Sequence, residues 1–234
     1  VMNTTANALF AVGASPVMAH AIEEVAEMAG LAGALVINIG TLSASWIEAM
    51  LKAGGVAKQW GIPVVLDPVG VGATSFRTQT ARRLLEEVTP TIIRGNASEI
   101  RALADAGAET KGVDSTHTSA QAVEAARALS SQYHTTVVVS GATDMIVAED
   151  HVVRVHNGHA MMPRVTGLGC TSTALVGAFA AVNPSAPQAA AHAMAVMGIA
   201  GEMAAEHAEG PGSFQVHFLD ALYRMQADDI ERRL

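Results

Sequence analysis

Cysteine is almost absent: Cys170 is the single one in 234 residues. One thiol cannot close an internal disulfide, and no zinc-type spacing of ligands occurs. That usage fits a reducing, cytoplasmic setting. Aromatic residues make up only 4% of the chain and charged residues 15%. Basic residues are scarce: 14 Lys plus Arg stand against 22 Asp plus Glu, for a formal charge of −8. With no basic run, nucleic acid and anionic membranes are poor partners. No apolar run reaches the roughly 18 residues that a transmembrane helix needs. Nothing at the start reads as a signal peptide. There is no internal repeat, low-complexity tract or linker, so residues 1–234 are expected to form a single domain.

What the chain has is small apolar sequence in short runs. Half of its residues are apolar. Ala34–Asn38, Pro63–Asp67, Thr91–Arg94 and Thr135–Ser140 are short, continuous apolar stretches, the mark of strands buried on both faces. Met145–Ala148 and His151–Val155 read as a hairpin carried on the same sheet. Helical patterns fall between and after them: Ala19–Ala29, Trp46–Trp60, Thr78–Val88, Ala97–Ala106, Ser119–Gln132, Thr171–Ala181, Pro187–His207 and Ser213–Met225. Strands alternating with helices predict an α/β fold with a mostly parallel central sheet and helices on both faces. The methionines within Ala193–Met203 are expected to pack in the core.

In such folds ligands sit at the carboxyl ends of the strands. There the sequence places Asn38 to Thr41, then Asp67 to Gly72, then Arg94 to Asn96 with Glu99 one turn on, then Ser140 and Gly141. A further signal is Val165-Thr166-Gly167-Leu168-Gly169-Cys170-Thr171, which opens a helix. Gly-x-Gly at a helix start exposes backbone N–H groups at the positive end of the helix dipole and suits an oxyanion or phosphate. Cys170 would stand in the first helical turn, where a thiol pKa is expected to fall. Each piece alone has a plainer reading. A lone Cys is usually a small core residue, Asp67 before Pro68 can start a turn, and Glu99 can face solvent. Together, two carboxylates, one arginine and a glycine turn suit a metal-bound polyphosphate. This points to a small-molecule kinase, and the G-x-x-x-x-G-K-[ST] phosphate loop is absent.

Blocks along nearly the whole chain are similar to one family. They are MNTTANALFAVGASPVMAHAIEEV at Met2–Val25, GALVINIGTLS at Gly33–Ser43, PVVLDPVGVGATSFRT at Pro63–Thr78 and IIRGNASEI at Ile92–Ile100. HNGH at His156–His159, VTGLGC at Val165–Cys170 and GPGSFQ at Gly210–Gln215 complete the set. In that order they resemble the hydroxyethylthiazole kinases of thiamine salvage, within the ribokinase-like superfamily. The resemblance implies a three-layer ribokinase-like fold and ATP-dependent phosphorylation of 4-methyl-5-(2-hydroxyethyl)thiazole. It implies ATP contacts at Arg94, Ser140, Gly167 and Gly169, and a thiazole site at Met18 and Gly167. It puts Asp67 and Glu99 at the Mg²⁺ and Cys170 where the superfamily usually carries an aspartate base. It also implies a homotrimer with sites near subunit interfaces. Family members carry an upstream stretch ending in an Ile-Thr-Asn type motif, so a segment ahead of Val1 is expected. Ala142 stands where an acidic residue is common, and Leu168 where Ala or Thr is common.

Three other readings compete. Another ribokinase-like kinase would act on hydroxymethylpyrimidine or pyridoxal, or its relatives on hydrated nicotinamide nucleotides. Cys170 in place of Asp and the block around Met18 argue against these. A cysteine hydrolase would pair Cys170 with a histidine, His156 or His159 being nearest in sequence. A non-catalytic sensor would not need Asp67, Arg94, Glu99 and the glycine turn together. Gly70–Thr74 is the candidate for a loop that moves over phosphate.

Overall fold

The computed structural model describes residues 1–105 and 118–234. Its described elements run α1 (Met2–Ala11), α2 (Val25–Leu31), β1 (Leu35–Asn38), α3 (Ala44–Trp60), β2 (Val64–Asp67), α4 (Ser75–Val88), β3 (Ile92–Asn96) and α5 (Ala97–Asp105). They continue with α6 (Thr118–Tyr133), β4 (Thr136–Ser140), β5 (Asp144–Ala148), β6 (His151–Val155), α7 (Leu168–Ala180), α8 (Ala186–Ala205), α9 (Pro211–Arg224) and α10 (Ala227–Arg233). The expected end of the fifth helix at Ala106 lies outside the described residues.

The strands lie side by side in chain order, β1-β2-β3-β4-β5-β6. β1 to β4 are parallel, and β5 and β6 form the expected antiparallel hairpin. Side chains alternate across the sheet with period two. Val65, Ile92, Val138 and Ile146 face one core, shared with α7, α8 and α9. Val64, Leu66, Ile93, Val137 and Val147 face the other, shared with α4, α5 and α6. This is the expected three-layer arrangement. Because the strand order never reverses, successive right-handed crossovers put α3 to α6 on one face. The other face is covered by helices that follow the hairpin, together with α1.

Small residues set the spacing of that second layer. A Cβ on Gly177 of α7 would come within 2.5 Å of Val36 Cγ2, so the helix can lie this close to β1 only with glycine there. Met194 and Met197 of α8 are buried in the same core, as expected. Three elements depart from the sequence pattern. The predicted helix Ala19–Ala29 forms only from Val25 to Leu31. The unpredicted α1 is rich in Asn and Thr, poor helix formers in isolation, but it docks Thr5 and Ala8 into the core. α10 was also unread; Arg233 ties it to Glu202 and Glu206 of the α8 end.

Candidate active site

The carboxyl ends of β1 to β4 and the start of α7 meet at one rim. Asn38 and Asp67 are register partners at the ends of β1 and β2. Asp67 is only 1% exposed. Its Oδ2 accepts hydrogen bonds from Asn38 Nδ2 at 2.9 Å and from Thr173 Oγ1 of α7 at 2.7 Å. Burial pushes its pKa up from 3.8 to about 6, while Arg94 and the Thr173 hydrogen bond pull the other way.

Arg94 stands at the centre. It lies on β3, and its Nη1 is 3.1 Å from where a Cβ on Gly169 would be. The strand therefore meets the glycine turn at side-chain contact. Arg94 Nε is buried and has no hydrogen-bond partner among the described residues. An unsatisfied guanidinium N–H in a protein interior is costly unless a ligand completes it. Asp144, at the start of β5, is buried and accepts the Gly141 N–H at 3.0 Å. Burial raises its pKa, and Arg94 opposes that rise.

Gly167 caps α7 with φ +87°, a conformation suited to glycine. No side chain caps this helix end. The first bond of the turn runs from Thr171 N–H to Gly167 O at 2.9 Å. The N–H groups of Leu168, Gly169 and Cys170 thus point outward without helical acceptors. Cys170 is half-buried in this first turn. Its pKa is raised, not lowered as expected: burial and the Asp67 charge outweigh the Asn38 hydrogen bond and the charge of Arg94. A thiol whose pKa is raised above its ordinary value stays protonated at neutral pH.

Glu99 has a structural task. Its Oε2 accepts the Asn96 N–H at 2.9 Å while Asn96 Oδ1 accepts the Glu99 N–H at 3.0 Å, a reciprocal cap on α5. Its Oε1 accepts the Gly70 N–H at 2.9 Å. Ser140 lies at the end of β4 beside Asn96 and donates to Gly95 O at 3.3 Å. The structure thus gathers Asp67, Arg94, Gly167, Gly169 and Cys170 at one rim of the sheet, with Glu99 and Ser140 on its flank. Met18 stands between α1 and α2 and is 46% exposed.

Sequence reasoning passed over Thr173, Asp144 and Arg77 as site residues and mentioned Asn38 only in passing. Arg77 Nη1 donates to the carbonyls of Ile39 and Val69, both at 2.7 Å, and Nη2 to Gly40 at 2.9 Å. It thereby laces together the loops after β1 and β2. Gly70–Thr74 is tied down as well, through Glu99 and through Gly72 N–H to Thr78 Oγ1 at 3.1 Å. The histidines offered as a hydrolase base are engaged elsewhere. His156 Nδ1 pairs with Thr143 at 3.2 Å, and His159 Nδ1 accepts the Met161 N–H at 3.2 Å.

Among the described residues no group of three or more His, Cys, Asp and Glu could hold a metal ion by itself. No helix among the described residues is long and apolar enough to cross a membrane.

A mostly parallel sheet under a glycine-started helix, with Arg94 and Asp67 at the join, defines a small-molecule kinase of the ribokinase-like class. Residues 1–228 match the hydroxyethylthiazole kinase family, and the chain belongs to that family. It is 63% identical to the hydroxyethylthiazole kinase of Syntrophus aciditrophicus, over 100% of this chain and 87% of that one. It is 60% identical to that of Oleidesulfovibrio alaskensis, over 99% and 87%. The solved hydroxyethylthiazole kinase protein from Pyrococcus horikoshii superimposes with a TM-score of 0.90 at 45% identity, covering 99% and 87% of the two chains. Pyridoxal kinase from Staphylococcus aureus in complex with ADP shares the fold alone, at TM-score 0.63, 17% identity and 86% and 82% coverage.

Proposed function

We infer that this chain transfers the γ-phosphoryl group of ATP to the hydroxyl of 4-methyl-5-(2-hydroxyethyl)thiazole. The observation that carries the reading is the Arg94 guanidinium, its buried Nε without a partner among the described residues and its Nη1 against Gly169, beside the open N–H groups of the Gly167–Cys170 turn. Phosphoryl transfer asks the protein for positioning and charge neutralisation more than for covalent chemistry. Arg94 and the turn amides neutralise the transferred group. Gly167 lets the turn approach the acceptor, with Met18 lining the thiazole from the α1–α2 segment. Ser140 and Gly169 bound the nucleotide side. Cys170 stands beside the acceptor hydroxyl; with its thiol protonated, it orients that hydroxyl more than it deprotonates it.

The carboxylates suit Mg²⁺. Oδ1 of Asp67 takes no hydrogen bond from the described residues, which leaves it for a cation. Glu99 has both oxygens engaged by backbone amides and acts through water. Two carboxylates without a full cage match a hard cation that keeps its waters and binds mainly to phosphate. When bound, the ion offsets the charge of the phosphates. We further propose a cytoplasmic enzyme of one domain that forms a homotrimer. The exposed Phe10, Val17 and Met18 supply apolar surface for subunit contact.

Release of ADP from Mg·ATP, measured with hydroxyethylthiazole, hydroxymethylpyrimidine and pyridoxal in turn, tests the reading. Turnover is expected with the thiazole alcohol and little with the other two. Turnover with a different alcohol would replace the substrate, and none with any would remove the kinase reading.

A further inference from the structure

We propose that Thr173 and Asn38 are positioning residues that lock the Asp67 carboxylate with Oδ2 inward and Oδ1 toward the reacting groups. The proposal rests on the kinase reading above. Both donors converge on one oxygen: Thr173 Oγ1 at 2.7 Å and Asn38 Nδ2 at 2.9 Å meet Oδ2. Oδ1 receives nothing from the described residues.

Asn38 cannot turn its amide round. Its Oδ1 accepts the Gly40 N–H at 2.8 Å, so a flip would set donor against donor there and lose the bond to Asp67. One side chain on β1 therefore fixes the orientation of a carboxylate on β2.

Thr173 has a choice and takes the carboxylate. A buried threonine in a helix can satisfy itself on the carbonyl four residues back, and Gly169 O lies 3.3 Å away. The hydroxyl has one proton, and the charged acceptor at 2.7 Å is the shorter and stronger partner. Thr173 is itself fully buried. Its bond runs from the helix that carries the Gly167–Cys170 turn to the strand that carries Asp67. It thus orients the carboxylate from the helix side, while the packing of α7 holds the turn itself in place.

The test compares Thr173→Val, which keeps the shape and removes the hydroxyl, with Thr173→Ser, which keeps the hydroxyl. Asn38→Ala serves as a second variant should Thr173→Val not fold. Three quantities are read: kcat, KM for the thiazole alcohol, and the rate at which Cys170 of the ligand-free protein reacts with a thiol reagent. Cys170 is the one cysteine in the chain, so that rate reports the α7 turn alone. Thr173→Val is expected to lower kcat about tenfold with KM within about twofold, the split left by a lost transition-state interaction. Thr173→Ser is expected to recover most of kcat. The thiol rate of both is expected to stay within about twofold of wild type, showing that the turn has not moved. A kcat near wild type in Thr173→Val would overturn the proposal. So would an equal loss in Thr173→Ser, which would make the effect one of packing. A wild-type protein with no alcohol-dependent turnover is a different result: it removes the kinase reading and this proposal with it.

Discussion

The Arg94 guanidinium fills the space where a side chain on Gly169 would begin, with Nη1 3.1 Å from that Cβ position. The contact joins β3 to the first turn of α7 and accounts for glycine at the second position of the Gly-x-Gly turn. Gly169→Ala is therefore expected to push the guanidinium aside by a few tenths of an ångström. A displacement of that size in a positioned charge lowers kcat/KM for ATP about tenfold. Steady-state kinetics beside a thermal melt will separate this from a folding defect, since the melting temperature should change little.

The raised thiol pKa makes Cys170 a minor proton acceptor. Cys170 is protonated at neutral pH, so it is a weak base there. Cys170→Ala should keep measurable turnover, down about tenfold. Arg94→Ala should lose on the order of a hundredfold or more, the scale of removing a preorganised charge donor. A Cys170→Ala enzyme that is dead beside a near-normal Arg94→Ala would reverse these roles.

Asp67 sets a pH dependence of stability. Its pKa rises on folding from 3.8 to about 6, so the folded state holds a proton that the unfolded chain has released. Stability from that proton is complete below pH 3.8 and is lost as pH rises to about 6. At neutral pH the ionised, buried carboxylate weakens the fold by on the order of 3 kcal/mol, at about 1.4 kcal/mol per pKa unit. Asp67→Asn should therefore abolish activity yet raise the melting temperature at pH 7.5. The gain should shrink below pH 4. A melt series across pH for both proteins checks the sign.

Arg77 holds three carbonyls from two loops, and its loss should loosen both. Arg77→Met is expected to reduce stability by about 2–4 kcal/mol, in line with hydrogen bonds to a charged group. Hydrogen exchange across residues 69–74 should speed up in parallel. Arg77→Lys should recover only part, because an ammonium cannot reproduce the planar fork. Slow exchange over 69–74 in the wild type, with and without ATP, would show that this segment is not a moving cover.

How much of this was legible in the sequence follows from physical range. Strands such as Val64–Asp67 announce themselves because a buried parallel strand must be apolar on both faces. The rim residues Asp67 and Arg94 were legible because polar residues at the ends of such strands have few other uses, and Gly169 because a Gly-x-Gly pair opens the next helix. What was not legible depends on contacts far apart in the chain. Thr173 meets Asp67 across 106 positions, and nothing near either residue marks the pair. The Cys170 pKa went the other way because helix position is local, whereas the carboxylate opposing it arrives from another strand. α1 has weak helix propensity and is stabilised by docking on α7 and α9, so its pattern was silent. Met18 was placed by resemblance alone, and the single chain leaves it half-exposed.

The most direct test of the whole account is one incubation with Mg·ATP and an equal mixture of hydroxyethylthiazole, hydroxymethylpyrimidine and pyridoxal, with products identified by mass. The account predicts the phosphate ester of the thiazole alcohol as the dominant product, formed in step with ADP. A phosphate ester of either other alcohol, or ADP without any ester, would contradict it.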